Sequence, residues 1–436
     1  MPYRWGTLAV AALVAVVPFV FRTPTDGLFG TSHFSYYLLS DFGIGAVAML
    51  LVVRGRLVRQ DPTIVLALGL LLAAQYLAVA VGLVRDRSIS LAYLGAGSGW
   101  ARVWMVTLLA AEAVARAREA RLVVRLSVAS FVAVMAVAIA ESIGVGPVRS
   151  FLNANYGTAT HVEAATALAA LGQFRVTATL DRNPHELALY AMMGITGLAA
   201  FTAVGATRRR LGALVVGLAA VFALLATVSA LGLIATAAAV ATVATLARVG
   251  WRRAVVVLLI PTGAALLFAL RFEALTRKLG GEVQALASGN FASAYFSSFT
   301  DRLLAWSGVV TEIKGGWSLA MFGVGPAGLV AAVQNGGAPD SDYAYLLLTT
   351  GGVGLVCYLV AMGIVLQRLR RSLGIARLDG NRFGQALALW AIAATVGMWV
   401  ASAAGPFVTS EAFVRVSVLW WFLVAVAARI PSWGAT

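Results

Sequence analysis

Long apolar runs separated by short charged breaks make up most of this 436-residue chain. A hydrocarbon core of about 30 Å needs about 20 apolar residues per helix. On that criterion the sequence predicts twelve membrane-spanning helices. Their expected limits are 6–21, 35–53, 62–84, 91–115, 124–143, 185–205, 211–225, 229–247, 254–270, 343–366, 383–402 and 413–429. The run over 211–247 is too long for one ordinary span, and we expect Thr227–Ser229 to divide it.

Composition agrees with this pattern and excludes other classes of protein. Apolar residues make up 61 % of the chain and charged residues only 12 %. Soluble globular domains have roughly 45–50 % and 25 %. A cytosolic enzyme, a disordered chain and a disulfide-stapled secreted domain are therefore excluded. The single cysteine, Cys357, allows no internal disulfide. We predict an all-α polytopic membrane protein whose residues 1–436 form a single transmembrane domain.

The distribution of charge predicts the orientation of the chain. There are 33 Lys and Arg residues against 18 acids, a net charge of +15. Cytoplasmic loops of membrane proteins carry excess Lys and Arg, and with both termini in the cytoplasm every inner loop contains an arginine cluster. These clusters are 54–59, 116–125, 208–210, 248–253 and 368–382. No nucleic-acid-binding motif is present, so we attribute the basicity to topology and to anionic lipids, and not to nucleic acid.

Two outward segments are long enough to carry function, because connections are usually about 4–6 residues. They are the loops 144–184 and 271–342. In the larger loop, Phe272–Leu286 and Ala305–Ile313 are expected to form short helices, and the glycine-rich part Gly323–Gly337 to be irregular. The apolar stretch Leu319–Val333 is suited to lie on the membrane interface or to enter it.

The first cluster of candidate residues surrounds the start of the sixth predicted span. Arg175 and Arg182 precede Asn183-Pro184, which favours a helix start with Asn as the cap and Pro in the first turn. A helix N-terminus flanked by arginines can bind an anion, here a lipid pyrophosphate. The alternative is that both arginines extend to lipid phosphates at the interface. His185 is expected to cap or pack near this helix start.

The second cluster lies in the larger loop. Arg302 and Trp306 are four residues apart and share one face of a helix. Asp301 can pair with a neighbouring arginine. The structural alternative is an Arg–Asp pair beside an interfacial tryptophan.

The third cluster precedes the tenth predicted span. Asp340 and Asp342 stand at its mouth, followed by Tyr343 as an interface anchor. A carboxylate here can act as a general base or cap the helix. The three histidines, His33, His161 and His185, are far apart, and no His/Cys cluster has the spacing of metal ligands. We therefore expect no metal and no cofactor.

In this order, the clusters resemble the O-antigen ligase and Wzy-type polymerase superfamily of GT-C membrane glycosyltransferases. That family has about twelve spans and one large late periplasmic loop. The similar elements here are Arg175 with Asp181–His185, Arg302-Leu-Leu-Ala-Trp306, Gly323-Val-Gly325-Pro326, and Asp340-Ser341 followed after nine residues by Gly351. Asp340 stands where the ligases usually carry His, which favours a polymerase.

The resemblance implies an inverting, metal-independent transferase at the periplasmic face of a bacterial inner membrane. The donor would be a glycan on undecaprenyl pyrophosphate, held by Arg175, Arg182 and Arg302. Asp340 or Asp342 would accept the proton of the acceptor hydroxyl, with Arg302 stabilising the leaving group. Asn183, His185, Trp306 and Tyr343 would support the site. The partners would be a glycan or lipid acceptor, the membrane lipids and a chain-length regulator.

Two alternatives to polymerisation of O-antigen, capsule or exopolysaccharide units remain open. A ligase would transfer the glycan to a lipid A core or another acceptor. A secondary transporter or lipid flippase would need ionisable residues near the middle of the membrane. Asp41, Arg102 and Glu112 are the candidates for that role. The absence of an internal repeat argues against a transporter built from two related halves.

Overall fold

A computed structural model describes residues 5–19, 62–85, 107, 110–111, 113–156, 176–180, 184–206, 210–227, 229–247, 284, 288, 309–311, 314, 316–325, 341–403, 405 and 414–433. Within these ranges the regular structure is entirely helical, with no strand. The α-helices are α1 (Trp5–Val16), α2 (Pro62–Arg85), α3 (Ala117–Ser142), α4 (Gly146–Tyr156), α5 (Pro184–Ala203), α6 (Arg210–Ala226), α7 (Ala230–Leu246), α8 (Trp317–Phe322), α9 (Asp342–Leu378), α10 (Arg382–Ser402) and α11 (Val414–Ala428). Two 3₁₀ turns follow α1 and α11.

Helices occupy nine of the twelve predicted spans, and five of them are long and apolar enough to cross a membrane: α2, α3, α5, α9 and α10. The predicted spans 35–53, 91–115 and 254–270 lie wholly or largely outside the described residues. The predicted division at Thr227–Ser229 is confirmed, because α6 ends at Ala226 and α7 begins after it. The twelve-helix count stays a prediction, whereas the helical membrane fold agrees with the structure.

Helix α3 begins seven residues before the predicted limit of 124. Counting apolar residues stops at the arginines of this region, but arginine is a good helix former. The first turn is also capped, because Glu119 Oε2 accepts the backbone N–H groups of Ala115 at 2.9 Å and Arg116 at 3.1 Å. The bond from Arg116 N is one half of a capping box, and the bond from Ala115 N fixes the residue that precedes the cap.

Helix α5 lies at the centre of the described bundle, in contact with α3, α6, α7, α10 and α11. Small residues let its neighbours approach closely, as is common between membrane helices. Gly197 faces the Trp390 ring of α10, whose Nε1 donates to the carbonyl of Met193 at 2.7 Å. The partly buried indole is therefore packed against α5 and hydrogen-bonded to it, and it joins α10 to α5.

One end of this bundle gathers arginines, and we call it the arginine-rich end. The Arg121 guanidinium of α3 lies 5.4 Å from the ring centroid of Phe383 in the first turn of α10. Arg368 Nη2 of α9 donates to the carbonyl of Ala428 at 3.1 Å, and Arg377 donates to a carbonyl at the end of α7. Clusters that are far apart in sequence thus meet on one side, as a common membrane orientation requires.

Helix α9 folds back on itself at Gly351, whose φ is +66°. In a straight helix Tyr343 and Tyr358 would be about 22 Å apart, but their ring centroids are 6.1 Å apart. Residues 342–350 therefore form one leg and residues 352–378 another. The prediction of one continuous helix over 343–366 is wrong at this glycine. Residues 352–378 alone still span roughly 40 Å, enough to cross a membrane.

The fold-back is held by a close crossing with the short helix α8. A Cβ on Gly351 would lie 2.4 Å from the Met321 backbone, and one on Gly323 would lie 2.5 Å from the Leu348 carbonyl oxygen. The broken helix leaves that carbonyl without its usual partner, and Val324 N donates to it at 2.8 Å. Two glycines from separate motifs thus permit one backbone contact. The described part of the stretch 319–333 packs here.

Candidate functional site

Three buried carboxylates mark the opposite end of the bundle, which we call the acidic end. They are Glu141 at the end of α3, Glu186 in the first turn of α5 and Asp342 in the first turn of α9. Each is at most 5 % exposed. Buried carboxylates are rare unless they are bonded or functional. This end therefore concentrates the candidate chemistry of the described chain.

Asp342 is fully buried in the first turn of α9. The residue that caps this helix is Ser341 and not an aspartate. Ser341 Oγ accepts from Tyr343 N at 3.2 Å and donates to the carbonyl of Ser402 at 3.0 Å. The Tyr343 hydroxyl donates to the Trp399 carbonyl at 2.9 Å. Asp342 N donates to the carbonyl of Gly405 at 3.3 Å. The start of α9 is thereby fixed to the end of α10.

The fold-back brings Tyr358 against this helix start. Its side chain is fully buried, beside Ser402 and Trp399 and within electrostatic reach of Asp342. The Tyr358 hydroxyl, Ser402 Oγ and Trp399 Nε1 are buried, yet none makes a hydrogen bond of normal geometry within the described chain. Three buried polar groups thus lie near one buried carboxylate, and buried groups of this kind usually bond to a protein group or to an ordered water.

A second structure at this end is a buried turn over residues 176–180. The Glu141 carboxylate accepts from Thr177 N at 3.0 Å, Ala178 N at 2.7 Å and Thr177 Oγ1 at 3.3 Å. Val176 N donates to the carbonyl of Ala226 at 3.1 Å. Ala178 has φ +48°, an unfavourable conformation for a residue with a side chain. The charge-assisted bonds from Glu141 are what stabilise it.

A cation lies at the end of α3, next to the residue that anchors this turn. Arg149 of α4 donates from Nε to the carbonyl of Glu141 at 3.2 Å, and its guanidinium lies beside Gly144. Glycine suits the backbone at this position because its φ is +81°. Helices α3 and α4 are thus joined at the point where Glu141 anchors the turn.

The start of α5 is anchored by two further contacts. His185 Nδ1 lies 3.0 Å from Ser229 Oγ, the cap of α7. Glu186, with no exposed surface, accepts from Val416 N of α11 at 3.3 Å. The prediction that Pro184 begins a helix is confirmed. His185 packs near that start, as expected, and bonds to a neighbouring helix.

The sequence-predicted site is only partly within the described residues. His185, Asp342 and Tyr343 are described, and all three lie at the acidic end. The other predicted residues lie outside the described ranges: Arg175, Arg182, Asn183, Arg302, Trp306 and Asp340. In sequence, Arg175 directly precedes the turn 176–180, and Arg182 follows it by two residues.

Sequence reasoning missed Glu141, Glu186, Arg149 and Tyr358. A signal was present for the two glutamates, since each is a single acid at the edge of a long apolar run. Such a residue at a membrane-helix end is costly unless it is bonded. No comparable signal marked Tyr358, because only the fold-back at Gly351 brings it to Asp342.

A transporter would need ionisable residues near the middle of its membrane helices. Asp41, Arg102 and Glu112 lie outside the described residues. The central thirds of α3, α5, α10 and α11, as described, contain no Asp, Glu, Lys, Arg or His. The buried carboxylates Glu141, Glu186 and Asp342 instead lie at helix ends.

Comparison with known proteins gives no direct support for a family. Neither the family models nor the curated proteins contain a match to this chain.

Proposed function

We propose that this protein is a membrane glycosyltransferase that acts on lipid-pyrophosphate-linked glycans at its acidic end. The observation that carries the proposal is the buried turn 176–180, which Glu141 and the end of α6 hold in place. Arg175 and Arg182 flank this turn in sequence. A turn held in place, with an arginine on each side of it in the sequence, is suited to bind a diphosphate, because guanidinium forks match phosphate oxygens.

A second support is the difference in charge between the two ends of the bundle. The arginine clusters at the opposite end predict that it faces the cytoplasm, so the acidic end would face the periplasm. Helices α5, α7 and α9 all start at the acidic end, and Glu186 and Asp342 already lie at two of these positive N-termini. A lipid-linked sugar donor needs no cytosolic nucleotide, which suits that location.

The proposed reaction is a direct displacement with inversion at the anomeric carbon. An acceptor hydroxyl oxygen forms a bond to that carbon, and the bond from the carbon to the pyrophosphate oxygen breaks. The bonding pair leaves with the lipid pyrophosphate, where Arg175, Arg182 and Arg302 would stabilise the charge. Asp340 or Asp342 would take the hydroxyl proton. Tyr358 and Ser402 would orient Asp342 or its partner hydroxyl.

The test uses the full chain in nanodiscs with lipid-linked repeat units. Arg182→Ala, Arg302→Ala and Asp340→Asn are each expected to abolish product, whereas Arg→Lys at these positions should recover activity only in part because bidentate contact is lost. Arg370→Ala is the matched control, since Arg370 is exposed at the arginine-rich end. Full activity in all three site variants would refute the proposal.

The acceptor substrate distinguishes a polymerase from a ligase. We favour the polymerase, because Asp340 stands where the ligases carry His. A polymerase elongates lipid-linked units when they are supplied alone. A ligase forms product only after a core lipid or another acceptor is added. Movement of the lipid across the bilayer without any new glycosidic bond would identify a flippase instead.

A further inference from the structure

An apolar groove of about 410 Å³ runs along the arginine-rich half of the bundle, and neither the proposed reaction nor the acidic end uses it. Its walls come from α1, α3, α5, α6, α10 and α11, with Phe131 and Tyr190 near one end and Ala206 and Val426 near the other. Its size lies within the range of about 300–1,000 Å³ typical of ligand sites.

The groove follows the helix axes over a length suited to a hydrocarbon chain. From Tyr190 to Phe201 the lining residues of α5 recur at helical spacing over roughly 16 Å. Gly194 and Gly197 lie on this wall, where the missing side chains leave room for the Phe131 and Trp390 rings that also line the groove. The lining of α6 includes Ala213 and Val216, which are partly exposed. An extended apolar occupant would therefore lie parallel to the helices.

Cationic side chains stand at one end of this groove. Arg121 lies three residues before the lining residue Val124 on α3, and its guanidinium is 5.4 Å from the Phe383 ring. Phe383 packs edge-on against Phe201, a lining residue, with centroids 5.7 Å apart. These contacts place Arg121 at the mouth of the groove.

A second cationic side chain, Arg429, follows the part of α11 that lines the groove. Leu419, Phe422 and Val426 line the groove at helical spacing, and Arg429 follows Val426 by three residues on the same side. Trp433 comes next on this side and stacks on Phe383 with centroids 6.2 Å apart. Within the described chain no carboxylate pairs with Arg121 or Arg429. The mouth therefore carries positive charge and interfacial aromatic side chains.

We propose that this groove binds one anionic phospholipid from the arginine-rich leaflet. Its acyl chain would lie between α3, α5 and α6, and its phosphate would lie at Arg121 and Arg429. Charge complementarity selects this occupant: a zwitterionic lipid fills the apolar part equally well, but its choline cation offsets the phosphate charge that would face the two guanidinium groups. The site is separate from the proposed transferase site, which lies at the other end of the bundle.

The test measures lipid affinity by native mass spectrometry of the full chain in detergent, with palmitoyl-oleoyl phosphatidylglycerol and phosphatidylcholine as probes. We expect one tightly bound phosphatidylglycerol and weaker phosphatidylcholine. The double variant Arg121→Gln/Arg429→Gln should lose about 30-fold in phosphatidylglycerol affinity, at about fivefold for each basic side chain. Arg370→Gln is the control at the same end, and it should keep the preference.

The apolar part is tested separately. Ala213→Trp fills the groove and should weaken both lipids, whereas Val215→Trp, at an exposed neighbouring position outside the groove, should weaken neither. Thermal unfolding verifies that each variant is folded. Equal affinity for both lipids in the wild type, or an unchanged preference in the double variant, would overturn the proposal. It would also be overturned if a polyprenyl phosphate displaced phosphatidylglycerol at equal or lower concentration.

Discussion

Removing the Glu141 carboxylate is the sharpest test of how the candidate site is built. The two backbone N–H groups of Thr177 and Ala178 both donate to Glu141 Oε2. Hydrogen bonds to charged groups contribute about 1.5–3 kcal/mol each. Glu141→Ala leaves both donors buried without this acceptor and should destabilise the turn 176–180 by at least about 3 kcal/mol.

The matched variant is Glu141→Gln, whose single amide oxygen can take the place of Oε2. Both backbone bonds are then kept, and the side-chain amide can donate to Thr177 Oγ1. Neutral hydrogen bonds are roughly half as strong as charge-assisted ones, so weakening both bonds should cost about 1.5 kcal/mol. Glu141→Ala therefore removes the acceptor oxygens, whereas Glu141→Gln removes only the charge.

Amide hydrogen exchange of the full chain in nanodiscs measures the effect directly. Exchange at Thr177 and Ala178 should accelerate by about 100-fold or more in Glu141→Ala and by about tenfold in Glu141→Gln, since each 1.4 kcal/mol is tenfold. Amides in the middle of α5 serve as the internal reference and should not change. Wild-type exchange at both positions in Glu141→Ala would refute the assigned role of this carboxylate.

Three further perturbations test the fold around the site. Gly351→Ala should prevent the fold-back and lower the unfolding temperature sharply, because the residue has a positive φ and its new Cβ would lie 2.4 Å from the Met321 backbone. The control is Gly363→Ala, which should be neutral or stabilising because no atom lies within 4 Å of the new Cβ. Ser341→Ala removes the cap of α9 and should cost about 1 kcal/mol in denaturant unfolding; an unchanged midpoint would contradict that role. Tyr343→Phe removes the bond to the Trp399 carbonyl and should cost about 1 kcal/mol, with loss of lipid-linked product only if this helix start supports the reaction.

The sequence determined where most of the described helices lie, because membrane helices must be apolar over a fixed length. It also determined the division of 211–247, where Thr227 and Ser229 interrupt the apolar run and Ser229 caps the next helix through Gly232 N at 3.1 Å. These features depend on neighbouring residues along the chain. The pattern of charge likewise predicted that distant arginine clusters share one end, and the contacts of Arg121, Arg368 and Arg377 agree.

The tertiary structure alone decided which distant residues meet at the acidic end. A glycine within an apolar run is compatible with a continuous helix or with a reversal, and only the crossing with Gly323 shows that Gly351 reverses the chain. Glu141 bonds to residues 36 and 37 positions away, a separation with no periodic signal. Hydrophobic periodicity reports which face of a helix is buried, whereas the partner of a buried polar group depends on three-dimensional packing.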